Sequence, residues 1–491
     1  MLNAPRHRSG QSSRTTRRRF LKQSLAAMAT VTIAGTKSSG KVLGANEAIR
    51  VGVAGIHGQG NAHIDQYLGL PDARVSYLID PDQSLFESRS RKITDKGHAP
   101  PRCVKDIRTA LEDKNLDAVS IATPNHWHSL ITIWACQAGK DVYVEKPLSH
   151  EMVEGRRCVE AARKYKRIVQ HGTQQRSSRS RANEIAAVQS GDYGKLLVSK
   201  GYCCKPRWSI GFKPEVPPPE HLDFNLWLGP ASQRPFHENL VHYNWHWNWD
   251  FGNGDIGNQG IHELDVARWA IPGATFPTKV WSLGGRLGFE DQGQTPNMQM
   301  AVYEYGDVLL VFEVRGLVDK PADGPFKFKV GNEYFTTEGR IEQGQFYPKS
   351  GGTPEKLRQY DVRVTDGGAW GSFLHAVRSR RVEDCNADVE VAHHSCSLIH
   401  AANISYRLGE RVPFNAKTQR LGDNAEVVRT FQNVTANLTG VGVKLEESTY
   451  QLGRTLNFNP SFERFFGEHA NEANAFLTRE YRKPFVVPES V

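Results

Sequence analysis

The chain has 491 residues, 39% of them hydrophobic and 23% charged, which excludes one ordinary core as well as a collagen-like or broadly disordered chain, and predicts two domains. Its net charge of +9 does not signal nucleic acid. Nine of the 62 Lys and Arg lie in residues 1–46, which hold no Asp or Glu, so the remainder carries 53 basic against 53 acidic residues. The seven cysteines form no CxxC pair, so neither a disulfide framework nor a cysteine metal site is expected, and they read as small apolar filler.

In chain order, "TRRRFLK" (16–22) comes first, followed by the mildly apolar "QSLAAMATVTIAG" (23–35). The apolar run is too short to cross roughly 30 Å of hydrocarbon. A charged head before a short apolar segment is the layout of a secretory signal. The stretch resembles a twin-arginine (Tat) signal, with Arg17 and Arg18 as the pair. That resemblance implies a leader over 1–46, the Tat machinery as a partner and an exported, periplasmic protein. No cysteine follows the apolar run, so no membrane anchor is expected.

From Ile49 strands and helices alternate. "IRVGVAG" (49–55), "RVSYLID" (74–80), "DAVSIATP" (117–124), "DVYVEKP" (141–147) and "IVQHGT" (168–173) read as strands. Helices are expected at 61–70, near 82–92, at 126–139 and at 149–166. This pattern predicts βαβ units, and hence a parallel, doubly wound Rossmann-type sheet over 47–173. Gly55, Gly58 and Gly60 occupy the first turn, between a strand and a helix, where glycine lets the backbone approach a pyrophosphate. Asp80 ends the second strand. A carboxylate there accepts ribose hydroxyls and repels a 2′-phosphate, which favours NAD(H) over NADP(H).

"VEKPLSH" (144–150) closes the strand expected at 141–147. Ligands of such sheets bind at the carboxyl ends of the strands, so Lys146 is expected beside the cofactor. Its ammonium can hold a substrate oxygen as charge develops on it.

Taken together, "GIHGQG" (55–60), "ATPNHWH" (122–128), "EKP" (145–147) and "GIHELD" (260–265) resemble the glucose–fructose oxidoreductase/inositol dehydrogenase family, Gfo/Idh/MocA. The resemblance runs from about Ile49 to about Phe414. "FNLWLGPA" (224–231) and the closing "EANAFLTREYRKPFVVP" (472–488) resemble a Tat-exported subgroup of it. It implies that Lys146 is catalytic, with Glu145 and Pro147 flanking it and Pro147 a candidate for a cis peptide. It places Thr123, Pro124, Asn125 and His128 by the cofactor, and Gln174, with Arg176 as a further candidate, by the nicotinamide. His262 matches the family histidine and is the expected proton acceptor. Four residues earlier the family often carries Asp, where this chain has Asn258, on the same helical face. Asn258 can bind substrate but cannot take a proton, and Asp255 or Asp265 is a candidate for the missing carboxylate.

"HYNWHWNWDFGNGD" (242–255) alternates Trp245, Trp247 and Trp249, either a sugar-binding face or core. Its His242, His246 and Asp250, with His262, do not sit at convincing ligand spacing, and no metal site is expected. Later strands at 195–204, 278–285, 298–317 and 326–339 predict an α+β domain over 174–415 with a largely antiparallel open sheet. Residues 416–491 show no period and are expected to wrap the body. The resemblance implies substrate on one face of this sheet and homo-oligomer contacts on the other. The expected activity is NAD(H)-dependent hydride transfer at a carbinol carbon of a sugar, polyol or glycoside, with the cofactor tightly held. The alternatives are a redox-neutral, NAD-retaining glycoside hydrolase or epimerase-type enzyme, and a non-catalytic NAD-loaded sensor.

Overall fold

A computed structural model describes residues 48–318, 329–414 and 421–491. The expected leader lies outside the described residues. Six short strands, β1 (Ile49–Ala54), β2 (Ala73–Ile79), β3 (Arg102–Val104), β4 (Ala118–Ile121), β5 (Asp141–Val144) and β6 (Val169–His171), form an all-parallel sheet in the order 3-2-1-4-5-6. Its crossover helices are α1 (Gln59–Leu68), α2 (Phe86–Thr94), α3 (Ile107–Leu111), α4 (Asn125–Gln137) and α5 (Met152–Lys164). Apart from the short edge strand β3, the strands are largely buried apolar runs, as a sheet covered on both faces requires. The order turns back between β1 and β4, which puts the ligand crevice at the carboxyl ends of those strands.

Beyond α6 (Arg179–Ser190), β7 (Leu196–Cys204) opens a second sheet. After it come α7 (Phe224–Leu228), α8 (Gly254–Asn258) and α9 (Gly260–Trp269). The sheet continues with β8 (Lys279–Gly285), β9 (Met298–Tyr305), β10 (Val308–Arg315), β11 (Lys329–Thr336), β12 (Gly339–Glu342), β13 (Gln345–Pro348) and β14 (Glu355–Lys356). Helices α10 (Gly368–Ser379) and α11 (Val389–Arg407) precede β15 (Glu410–Pro413), α12 (Ala425–Gly440), β16 (Thr449–Leu452), β17 (Leu456–Asn459), β18 (Arg464–Phe466) and α13 (Ala470–Ala475). The order is 14-13-12-11-7-10-9-8-16-15, with β17 on β8 and β18 on β17; only β7 and β10 run parallel. Gly306 and Asp307 make the tight β9–β10 turn, with Gly306 at φ +62°.

Alternation along β7 gives the second sheet its two faces. Ser199 donates to the Ala267 carbonyl of α9, and Cys203 lies at 3.5 Å from Asp255 of α8, so this face carries the site. Val198 points the other way, into a cluster with Trp281, Val302, Val311 and Val427. Helix α12 therefore covers part of the outer face. Residues 421–491 supply this helix, the three strands β16–β18 and α13. Helix α10 returns to the first sheet, where Phe373 and Leu374 pack with Ile64 and Tyr67 of α1. Six cysteines are buried, while Cys103 is exposed, so the apolar-filler reading does not extend to it.

Candidate active site

A cleft of about 370 Å³ opens at the carboxyl ends of β1, β4 and β5. Gly55, Gly58, Asp80, Thr123, Pro124, Asn125, His128, Glu145, Lys146 and Asn258 all line it. The three glycines of the first turn have different jobs. Gly55 sits at φ +79°, and a Cβ there would fall 2.6 Å from the Ala122 carbonyl oxygen. On Gly60 a Cβ would lie 1.7 Å from the Gly55 carbonyl oxygen, so strand and helix meet only through glycine. Gly58 has nothing within 4 Å of that position, and no side chain caps the amino end of α1 that follows it. A turn pinned at two glycines and open at the third, before free helix N–H groups, fits a pyrophosphate.

Asp80 accepts the Ile56 N–H at 2.8 Å on one oxygen and the Asp82 N–H at 2.9 Å on the other. Burial pushes its carboxyl up to about 6, against those two bonds. At neutral pH it is charged, with lone pairs left for ribose hydroxyls. The buried Thr123 hydroxyl has no partner at the cleft wall. The two ring nitrogens of His128 lie 2.7 Å from the carbonyl oxygens of Pro147 and Thr123, tying the 123–125 turn to the 145–147 turn. Asn125 donates to Asn253 at 3.3 Å, just before α8. These residues fit a dinucleotide: a cradle, a ribose acceptor and an unpaired hydroxyl along one cleft.

At its inner end, Lys146 Nζ donates to Asn258 Oδ1 at 3.3 Å, and the Lys146–Pro147 peptide is cis. Burial pulls the Lys146 ammonium below its ordinary range, while Glu145 and Asp255 act in the opposite sense. Glu145 accepts Gln59 Nε2 at 3.0 Å and lies 3.1 Å from His63 Nε2. Burial would raise its carboxyl, but the His63 bond and the neighbouring cations hold it at about 2. Burial, then the Lys146 charge, lowers His262 to about 4, so its ring is neutral at physiological pH. The helical hydrogen bonding is interrupted at Gln259, whose own backbone stays in the right-handed helical region, so Asn258 ends α8 and His262 lies four residues on, in the first turn of α9.

Neither candidate replacement carboxylate is free. Asp255 accepts Arg207 Nε at 2.9 Å. Asp265 is held by Arg176 through bonds of 2.8 and 2.9 Å and by Ser395 at 2.6 Å. That bidentate pair also commits Arg176 away from the cleft, over the Trp269 ring. Gln174 lies in the short turn after β6, outside the cleft lining. Trp245 and Trp247 are both buried in a 3-10 turn rather than along a strand face, and Trp245 reaches the cleft. His242 pairs with Asp82, His246 with the Tyr243 carbonyl and Asp250 with Arg234, and no metal-holding cluster occurs among the described residues.

The family described as "Oxidoreductase family, NAD-binding Rossmann fold" matches residues 49–173, and its C-terminal alpha/beta domain matches residues 195–281. These two matches place residues 49–173 and 195–281 in the Gfo/Idh/MocA oxidoreductase family. Within this family the chain is similar to a myo-inositol 2-dehydrogenase of Thermotoga maritima, 25% identical over 60% of this chain and 74% of that one. It is also similar to a glycosyl hydrolase family 109 protein of Saccharopolyspora erythraea, 26% identical over 34% of this chain and 37% of that one. Among solved structures, the WlbA dehydrogenase of Chromobacterium violaceum, in complex with NADH and UDP-GlcNAcA, shares the fold. It has a TM-score of 0.54, 17% identity, and coverage of 74% of this chain and 95% of that one. With these matched domains and this cleft, the chain takes NAD(H) as cofactor.

Gln59 and His63 escaped the motif reading. They stand four residues apart at the start of α1, on the face that meets Glu145, and that i,i+4 spacing after "GIHG" was the available signal.

Proposed function

We propose that the protein interconverts an alcohol and a carbonyl on a sugar, polyol or glycoside, using NAD(H). The observation that carries this is the meeting of the Lys146 ammonium with Asn258 at the inner end of the cofactor cleft. Bound there, NAD(H) supplies the hydride acceptor or donor. In the oxidative direction the carbinol C–H leaves as hydride and the hydroxyl proton passes to His262, neutral above about pH 4. Lys146 holds the oxygen on which negative charge develops. Asn258 orients that ammonium and offers its amide to a second hydroxyl. Glu145 orients the turn that carries Lys146 through Gln59 and His63. Reduction runs the same steps backwards. The substrate class draws support from the relatives, named as an inositol dehydrogenase and, in a shared fold, a dehydrogenase holding a nucleotide sugar. Screening sugars and polyols for a change in nicotinamide absorbance tests the assignment. Normal turnover by Lys146→Ala would overturn it.

A redox-neutral cycle is the second reading, favoured by the match to glycosyl hydrolase family 109 proteins over about a third of the chain. Release of aglycone from an aryl glycoside without added NAD(H) would select it.

For residues 1–46 we propose Tat export of the folded, cofactor-loaded chain, supported by "TRRRFLK". Outside the cytoplasm free nucleotide is scarce, so the proposal carries with it a tightly held cofactor. A precursor with Arg17→Lys and Arg18→Lys should stay in the cytoplasm; periplasmic recovery would contradict it.

A further inference from the structure

The cofactor cleft has a second wall that does not come from the Rossmann sheet. Trp227, His242, Tyr243 and Trp245 line it from a segment inserted between β7 and α8. This wall is sewn to the loop after β2. The Gln83 N–H donates to the His221 carbonyl at 2.9 Å, and the Asp223 N–H to the Pro81 carbonyl at 3.0 Å. Asp82, only 2% exposed, takes His221 Nδ1 at 2.9 Å and His242 Nε2 at 3.0 Å. The His242 ring then lies flat on His57 of the glycine turn, centroids 4.2 Å apart.

A second seam runs along α4. Trp127 Nε1 donates to the Trp227 carbonyl at 3.0 Å, and His126 Nε2 lies 3.0 Å from the same oxygen. Gly229, at φ +47°, presses so close that a Cβ would fall 2.2 Å from the Trp127 ring.

The end of the chain fastens this seam. Arg482 Nε donates to the carbonyls of Gly229 and Ala231 at 3.0 and 3.2 Å. Its Nη1 reaches Asn225 Oδ1 at 2.7 Å and its Nη2 the Asn225 carbonyl at 2.6 Å. Its own N–H meets the Pro230 carbonyl at 3.2 Å. Phe485 packs edge-on against Trp127, centroids 5.3 Å apart, and Arg479 holds the Asp250 carbonyl at 2.8 Å. A guanidinium whose fork is committed to one loop's carbonyls holds that loop's shape rather than balancing a charge.

We propose that residues 476–488 are a latch that retains the dinucleotide, with Arg482 as its positioning residue. The inference rests on the NAD(H) reading above. A dinucleotide held between two walls leaves only when one wall moves. The inserted wall moves only when the Asp82 seam or the Arg482 seam opens. Contacts of this kind act on the release rate far more than on association.

The test uses the full-length protein loaded with NADH. Release is followed by loss of nicotinamide fluorescence in the presence of an NADH-consuming trap. Arg482→Ala should release NADH about tenfold faster or more, as loss of several charge-assisted bonds implies. The unfolding midpoint of the cofactor-free chain should hardly move, which separates latch from general scaffold. Arg482→Lys, which keeps the charge without the fork, should fall between. Phe485→Ala loosens the same segment elsewhere and should also speed release, including if Arg482→Ala does not fold. Wild-type release rates in the variants overturn the latch. Failure of the wild type itself to bind NADH overturns the cofactor reading instead.

Discussion

Lys146 donates its ammonium proton to the amide oxygen of Asn258 across 3.3 Å, joining the turn after β5 to the last residue of α8. The same amide donates toward the Tyr243 hydroxyl at 3.3 Å. Asn258 is therefore a neutral relay between the ammonium and the inserted wall of the cleft. A carboxylate there would favour the charged lysine. Asn258→Asp should raise the alkaline limb of the pH–rate profile by roughly one unit, the usual effect of a nearby opposite charge. The profile of kcat/KM against pH reads it directly.

His262 governs the acid side. Its ring accepts a proton only when neutral, and burial together with Lys146 sets that boundary at about 4. With NAD kept saturating, oxidative kcat/KM should hold steady as pH falls toward about 4 and drop below it, because the protonated ring has no lone pair to offer. His262→Asn should erase that limb and lower turnover by about 100-fold or more. An unchanged limb in the variant would assign it to another group.

The glycine turn gives a paired prediction. Gly60→Ala forces a Cβ to within 1.7 Å of backbone, so it should destabilise the fold by several kcal/mol, on the scale of severe overpacking. Gly58→Ala meets nothing in the protein. It should leave the unfolding midpoint nearly intact and yet weaken NAD binding, which calorimetry and thermal melts of the two variants separate.

Asp80 couples cofactor affinity to pH. Burial raises its carboxyl to about 6, so below that value it takes a proton and loses its pull on ribose hydroxyls. The affinity for NAD should weaken as pH falls through about 6. Asp80→Asn should flatten that dependence and narrow the preference over NADP, as titration of both cofactors at several pH values will show.

The Rossmann half was legible because each signal was local. Apolar runs separated by helical stretches located β1, β2, β4, β5 and β6, although the runs expected at 117–124, 141–147 and 168–173 reach past the ends of strands that stop at Ile121, Val144 and His171, and the glycine turn and the "EKP" lysine followed from their places at strand ends. The short β3 strand was missed, being three residues long with two of them exposed. The expected helix near 82–92 begins as a 3-10 turn because Asp82 caps it, accepting the Ser84 N–H at 3.0 Å. The roles open to Asp255 and Asp265 could not be read from sequence at all. Their partners, Arg207 and Arg176, lie 48 and 89 residues away, and only folding brings each pair together. The same holds for the inserted wall. The aromatic stretch at 242–255 was visible, but its attachments, His242 to Asp82 and the Asp250 carbonyl to Arg479, reach far along the chain in both directions. In residues 421–491 the strands are three or four residues long, too short to show alternation, but α12 runs sixteen residues with Val427, Val434 and Leu438 buried on one face, and the expectation of an aperiodic segment missed it.

The central claim is that Lys146 and the cleft around it carry out hydride exchange with NAD(H). The most direct measurement is a single turnover of the NAD-loaded protein with a panel of sugars and polyols, read by nicotinamide absorbance, for the wild type and Lys146→Ala side by side. The wild type should change its nicotinamide absorbance with at least one member of the panel, and Lys146→Ala should be slower by orders of magnitude while still binding NADH. Equal rates in the two proteins, or no change in the wild type across the whole panel, would contradict it.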